Sequence, residues 1–219
     1  MRVTKFTGIV REAFAADPFL WALWLVLCRI LLEIKGLVLG FALHAPDLRL
    51  GRGSLVRGAK YISFGRDIRA KSGFWLEAVT HYGEQRFAPL IRIEDAVRFS
   101  DGVHISCIDR IVIKKNVLMG SHIYISDHNH GLYKGVENSL PSEPPAHRKL
   151  GGGGPVLIGE NVLIGDNAII VGPVTIGDGA IIGANSVVRE DVQPGAMVAG
   201  IPARLIRRFN PATHTWERA

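Results

Sequence analysis

Aliphatic residues recur at every sixth position over most of this chain. Ile158, Ile164, Ile170, Ile176, Ile182 and Val188 fall at strict intervals of six, glycine follows four of them, and small or apolar residues such as Val162, Ala168 and Val174 recur four positions after each. Earlier blocks keep the same step: Leu50, Val56, Ile62, Ile68 and Phe74; then Ile93, Phe99 and Ile105; then Ile113, Met119 and Ile125. An amphipathic helix would place apolar residues about three and four apart, and a hairpin meander would show turn clusters every eight to twelve residues or so. Neither period fits. Each hexad reads as one short strand and one corner, with one aliphatic pointing inward and Gly, Asp or Asn where the backbone turns. No hexad is stable alone, so the repeats must stack as rungs, and each buried Ile or Leu contributes roughly 1.5–3 kcal/mol. The pattern predicts an all-β solenoid, a parallel β-helix within a domain at 48–200.

Two stretches interrupt the period, at 75–92 and 127–157. Long loops in compact repeat proteins usually carry function. The second is polar, contains His128, His130 and His147, and closes on the glycine run 151–154, which reads as flexible enough to let the loop fold over a neighbour. Ahead of the repeats, a segment at 1–47 contains Asp17 and Pro18, which read as an N-cap and first helical residue, followed by an apolar stretch from Phe19 to Lys35. Its uncharged run ends before Arg29, too short for a spanning helix of about 20 residues. Two placements remain open: the membrane interface, with Trp21 and Trp24 in it and Arg29 and Lys35 reaching headgroups, or packing on a neighbouring subunit or the end of the coil.

An apolar content of 47% suits one continuous core, and the 25 glycines lack the every-third-residue period of collagen. The net charge of +6 owes much to a basic tail at 201–219 carrying Arg204, Arg207, Arg208 and Arg218. An anionic partner fits there, but no finger, helix-turn-helix or aromatic-basic signature points to nucleic acid. Cys28 and Cys107 form no C-x-x-C pair, which argues against a disulfide framework. No secretory signal pattern is present, so the expected location is cytoplasmic, peripheral at the inner face of the cell membrane if the helix binds there.

The hexad repeat, the segment Ser126-Asp127-His128-Asn129-His130-Gly131 and the run Ala199-Gly200-Ile201-Pro202-Ala203-Arg204 together resemble the hexapeptide-repeat acyltransferases, in particular the sugar O-acetyltransferases of surface-polysaccharide synthesis. The resemblance covers the chain beyond about residue 48. It implies a left-handed β-helix, a homotrimer with acetyl-coenzyme A in the cleft between subunits, and a carbohydrate acceptor, lipid-linked or in a polysaccharide precursor. It further implies that Gly165, Asp166, Gly183 and Ala184 line the pantetheine arm and that Arg189, Arg204 and Arg207 lie near the nucleotide end. Where many relatives carry Trp this chain has Leu163, which bears on the acceptor pocket.

The histidine loop has a physical case of its own. Acyl transfer from a thioester to a hydroxyl requires a base near neutral pH as the oxygen attacks, and histidine titrates there. One of His128 and His130 is expected to be the base. Gap-free placement on the galactoside acetyltransferases favours His130, and a two-residue deletion favours His128. Asp127 and Asp101 are expected to orient the imidazole or hold the sugar. Neither cysteine reads as an activated nucleophile, so direct attack in a ternary complex is expected. Two other classes compete: a zinc enzyme of the γ-carbonic-anhydrase kind, using His104, His122 and His128, and a non-catalytic scaffold. The histidine spacing does not match the first, and no metal is expected.

Overall fold

The computed structural model describes residues 14–45 and 47–219. Of the segment at 1–47, residues 1–13 and Pro46 lie outside the described residues, as do the side chains of Arg29, Leu32, Glu33, Lys35 and Leu37.

From Arg49 onward the chain visits three parallel sheets in rotation. Arg49–Leu50, Leu55–Arg57 and Ile62–Phe64 each open one sheet, and Arg69–Ala70, Trp75–Ala78 and Leu90–Ile93 add the next strand to each in turn. The rotation continues to Val187–Val188. In the uninterrupted region Ile164 pairs with Ile182 and Ile170 with Val188, one turn of three hexads apart. The sixth-position aliphatics are the core: Ile105, Ile113, Met119, Ile125, Ile164, Ile170 and Ile176 are all fully buried.

Corners explain the polar half of the repeat. Asp67, Asn116, Asn161, Asn167 and Asn185 adopt left-handed φ values between 51° and 61°, which short polar side chains tolerate. Aspartates staple one turn to the previous one: Asp95 accepts from Arg66 N–H at 2.7 Å, Asp178 from Glu160 N–H at 2.8 Å and Asp191 from Thr175 N–H at 2.7 Å.

The interruptions are narrower than the sequence suggests. Trp75–Ala78 and Leu90–Ile93 remain rungs, so the expected loop at 75–92 contracts to 79–89 and holds the hairpin His81–Tyr82/Gln85–Arg86. The second, expected at 127–157, ends before the rung Val156–Ile158. Both were overdrawn because a strand's outward residues break the hexad pattern without leaving the ladder. The glycine run 151–154 is also not a loose hinge. A Cβ on Gly153 would lie 2.0 Å from Asp127 O, and Gly154 N–H donates to that oxygen at 2.9 Å.

Both ends are built on the coil. The basic tail expected at 201–219 is a pair of strands: Arg204–Asn210 runs antiparallel to Ala196–Ala199, and Thr215–Arg218 antiparallel to Arg204–Asn210. In front, a helix spans Phe19–Ala42, longer than the predicted stretch. Pro18, not Asp17, holds the cap position, with ψ at 142° and no side-chain cap; its carbonyl accepts from Ala22 N–H at 2.9 Å. Gly36 does not break this helix. It allows close approach, since a Cβ there would lie 3.1 Å from Arg49 Cδ, and Leu39 and Leu43 pack on the end of the core.

Candidate active site

Ser126 ends a rung of the second sheet, and the chain leaves the coil at Asp127. Asp127 carries the corner-aspartate device one step further. Its Oδ1 accepts from Ile108 N–H at 2.9 Å and its Oδ2 from Asp109 N–H at 2.8 Å, both on the preceding turn. Oδ2 also accepts from the Cys107 thiol, with sulfur at 3.1 Å, and Oδ1 lies 2.9 Å from His128 Nδ1. The carboxylate is 0% exposed and the imidazole 7%.

The electrostatics follow from this cage. Burial by itself would raise the Asp127 carboxyl, but hydrogen bonds from His128, Ile108 N–H, Cys107 and Asp109 N–H outweigh it and hold the group below the ordinary carboxylate range. An ionised Asp127 makes His128 Nδ1 the donor, which leaves Nε2 as the imidazole's acceptor. The same neighbour and the same burial push the Cys107 thiol far above its usual range, so it stays protonated as a donor. His104, one rung before, is lowered by burial and by His128, against an opposing pull from Glu77. It stacks on Trp75 at 4.4 Å and meets the edge of Tyr124 at 5.2 Å.

His130 follows two residues further along the chain. It is exposed, pairs in a short antiparallel ladder with Leu150, and contacts the edge of Tyr82 at 5.2 Å. Tyr82 belongs to the first excursion, whose Gln85 grips Leu150 through both backbone groups, at 2.7 and 2.9 Å. The shorter hairpin therefore braces the histidine loop. Asp101 is half-buried and staples Ser72 N–H at 3.0 Å.

The residues expected to hold an acyl donor sit further along the coil. Gly165 and Gly183 are corners packed under the next turn, where added Cβ atoms would lie 2.5 Å from Ala184 N and 2.9 Å from Ala199 Cβ. Ala184 and Asp166 are exposed, and Asp166 also accepts from Ser121 N–H. Arg189 and Arg204 come together around a cavity of about 190 Å³ that Pro202, Leu205 and Arg208 help to line. Arg207 is drawn away and donates to Trp216 O at 3.2 Å. Of the zinc candidates, His104 is held in its aromatic stack and His122 turns a corner with φ at 56°. Among the described residues no group of three His, Cys, Asp or Glu side chains is placed to hold a metal.

Sequence reasoning missed three contributors: Cys107, the paired amides of Ile108 and Asp109, and Gly153. Cys107 sits at a core position, and its carboxylate partner lies 20 residues further along the chain. Gly153 did leave a signal, the unbroken glycine run, but it marks a close approach to Asp127.

Residues 155–190 match the family described as bacterial transferase hexapeptide (six repeats). With the fold and the dyad in place, the chain belongs to the hexapeptide-repeat acyltransferases. It is 35% identical over 165 residues, 75% of this chain and 80% of the relative, to the protein named as a lipopolysaccharide-biosynthesis O-acetyl transferase, WbbJ, of Escherichia coli (strain K12). Among solved structures, a hexapeptide-repeat-containing acetyltransferase of Vibrio cholerae O1 biovar eltor, complexed with acetyl coenzyme A, is 26% identical with a TM-score of 0.50, over 79% of this chain and 78% of that one. The N-acyltransferase AntD of Bacillus cereus, in complex with dTDP and 3-hydroxybutyryl-CoA, shares the fold at 18% identity and a TM-score of 0.60, over 76% and 82% of the two chains.

Proposed function

We propose that this enzyme transfers an acetyl group from acetyl-coenzyme A to a sugar hydroxyl during O-antigen or exopolysaccharide synthesis, with His128 as general base. The Asp127–His128 pair at the root of the second excursion carries the reading. His128 Nε2 takes the hydroxyl proton as the oxygen attacks the thioester carbon. A C–O bond forms, the tetrahedral oxyanion collapses with cleavage of the C–S bond, and the proton passes from Nε2 to the departing sulfur. Asp127 stabilises the intervening imidazolium, and its own hydrogen bonds keep it ionised. His130 lacks a carboxylate partner among the described residues, which is why the assignment passes to His128 from the residue that gap-free placement favoured. Direct attack is supported by Cys107, whose thiol is held protonated and fully buried.

A hydroxyl acceptor is favoured over an amine because the relative at 35% identity is named an O-acetyl transferase, whereas the N-acyltransferase shares only the fold. For the donor, Arg189 and Arg204 are assigned to the phosphates at a cavity that Glu190 and Asp191 also line, with Arg207 on the same hairpin as Arg204, and Gly165, Asp166, Gly183 and Ala184 lead along the coil as a track for the pantetheine arm. We take the coil as left-handed and the enzyme as a homotrimer with sites between subunits. Exposed apolar side chains in register on the outer faces, among them Leu118 and Leu163, support such an interface. Asp101 and the outer oxygen of its carboxylate are assigned to the acceptor side. The apolar helix suits an enzyme held at the inner face of the membrane, where a lipid-linked acceptor is met in two dimensions.

The test is thiol release from acetyl-coenzyme A with a panel of sugar acceptors, using His128→Ala and His130→Ala. The expected result is a loss of roughly 10²–10⁴ in kcat for His128→Ala with coenzyme A affinity retained. A collapse confined to His130→Ala would move the base to that residue. Absence of both turnover and coenzyme A binding in the unaltered enzyme would remove the reading.

A further inference from the structure

The coil is electrically polarised along its axis. Between residues 47 and 75 seven Lys and Arg face two Asp, whereas between 155 and 200 one Arg faces five Asp and Glu. Arg52, Arg57, Lys60, Arg66, Arg69 and Lys71 are all exposed, and they occupy strands and corners right around the first turns. Arg57 pairs with Glu77 at 3.6 Å and Arg69 with Asp67 at 3.2 Å. Arg52, Lys60, Arg66 and Lys71 have no ion pair among the described residues.

The apolar helix covers this same end. Its C-terminal half packs on the coil through Gly36, Leu39 and Leu43, while its N-terminal half presents bulky apolar side chains in almost every direction. Leu20 is 77% exposed, Trp21 54% and Trp24 51%. A helix that is apolar all round requires cover, and a ring of unpaired cations beside it says what kind.

We propose that this end of the coil docks on a bilayer surface rich in anionic phospholipid, with the helix's N-terminal half at the headgroup boundary and the basic ring against the phosphates. The inference rests on the peripheral membrane reading above and adds to it the lipid class, the residues that select it and an upright coil whose acidic turns point away. Rotation of that upright coil about its own axis keeps the ring in contact, since the cations surround it on all sides. Each Lys or Arg near such a surface strengthens partitioning by about fivefold, and salt screens the effect.

The experiment is flotation of the full chain with vesicles of phosphatidylcholine alone or with about one-third phosphatidylglycerol, at about 0.1 M and 0.5 M salt. Binding to the anionic vesicles, weakened by salt, is expected. The combined variant Arg52→Gln, Lys60→Gln, Arg66→Gln and Lys71→Gln, checked for native melting, should lose nearly three orders of magnitude, about 600-fold, in partitioning. Equal binding to both vesicle types, or an unaffected variant, overturns the charge-selective surface and leaves the membrane reading standing. No binding to either overturns both, and assigns the helix to cover by other copies of the chain.

Discussion

Replacing Asp127 by Asn tests the dyad with the smallest change in shape. The carboxylate accepts four hydrogen bonds, two at each oxygen: Ile108 N–H and His128 at Oδ1, Asp109 N–H and Cys107 at Oδ2. An amide has one oxygen, so in either orientation its NH₂ faces a backbone N–H. That leaves at least one buried donor unpaired, at a cost of about 1–3 kcal/mol each, or a fall of roughly 2–10 °C in Tm for a chain of this size. With the NH₂ toward Asp109, the proton stays on His128 Nδ1 but the negative charge that stabilises the imidazolium is gone. With the NH₂ toward His128, Nδ1 becomes the acceptor, the proton moves to Nε2, and the base is lost. Cys107 favours the second orientation, because its thiol then keeps an oxygen partner. Either way kcat should fall by about 10²–10⁴, read as initial rates of thiol release, with coenzyme A affinity retained. A lowered Tm with kcat within about threefold of the parent would refute the reasoning and reduce Asp127 to one more corner staple.

Four further outcomes follow from the same geometry. Cys107→Ala should keep at least about a tenth of the parent activity, since it removes one donor to Asp127 worth about 1 kcal/mol; complete loss in a folded variant would revive a covalent route. Gly153→Ala should destabilise the loop and lower kcat together, because its Cβ would fall 2.0 Å from Asp127 O; a wild-type melting curve would contradict that packing. His104 has a lowered folded pKa, so the unfolded chain binds more protons below about pH 6.5 and stability should decline with acidification from there. His104→Phe should flatten that slope in denaturant titrations. Asp127 acts lower down: its depressed pKa contributes stability above about pH 3.9 that is lost as pH falls toward its folded value, and Asp127→Asn should abolish that component.

The coil was legible because one residue in six reports it directly. Ile158 through Val188 point inward without exception, and the corner Asn and Asp residues sit where left-handed backbone is needed. The excursion boundaries were harder to read, since Trp75 and Leu90 are outward rung residues that look like loop in a pattern keyed to buried positions. Residues two apart in a strand share a side, so alternation does not separate His128 from His130; the chain bends at Asp127, and the structure places one buried and one exposed. The rest of the cage was equally out of reach of a local pattern. Asp127 reaches amides 19 and 18 residues earlier, and Gln85 reaches Leu150 across 65. Such distances are fixed by the stacking of turns and leave no local trace.

That stacking also suggests why the dyad stands where it does. Asp95, Asp101, Asp178 and Asp191 each bind a backbone N–H of the turn before, and each keeps contact with solvent at a corner that continues the coil. At Asp127 the chain departs instead, and the loop it enters covers the carboxylate. Two amides in place of one, together with a thiol, keep that covered carboxylate charged against burial. Its remaining hydrogen-bonding capacity then falls on the next side chain, His128. A corner staple thus becomes an imidazole-orienting group through loss of solvent and gain of one neighbour. The excursion is then part of the chemistry: shortening 131–149 to a tight turn should expose Asp127 and weaken its hold on His128, with a loss of kcat, even if every rung of the coil remains intact.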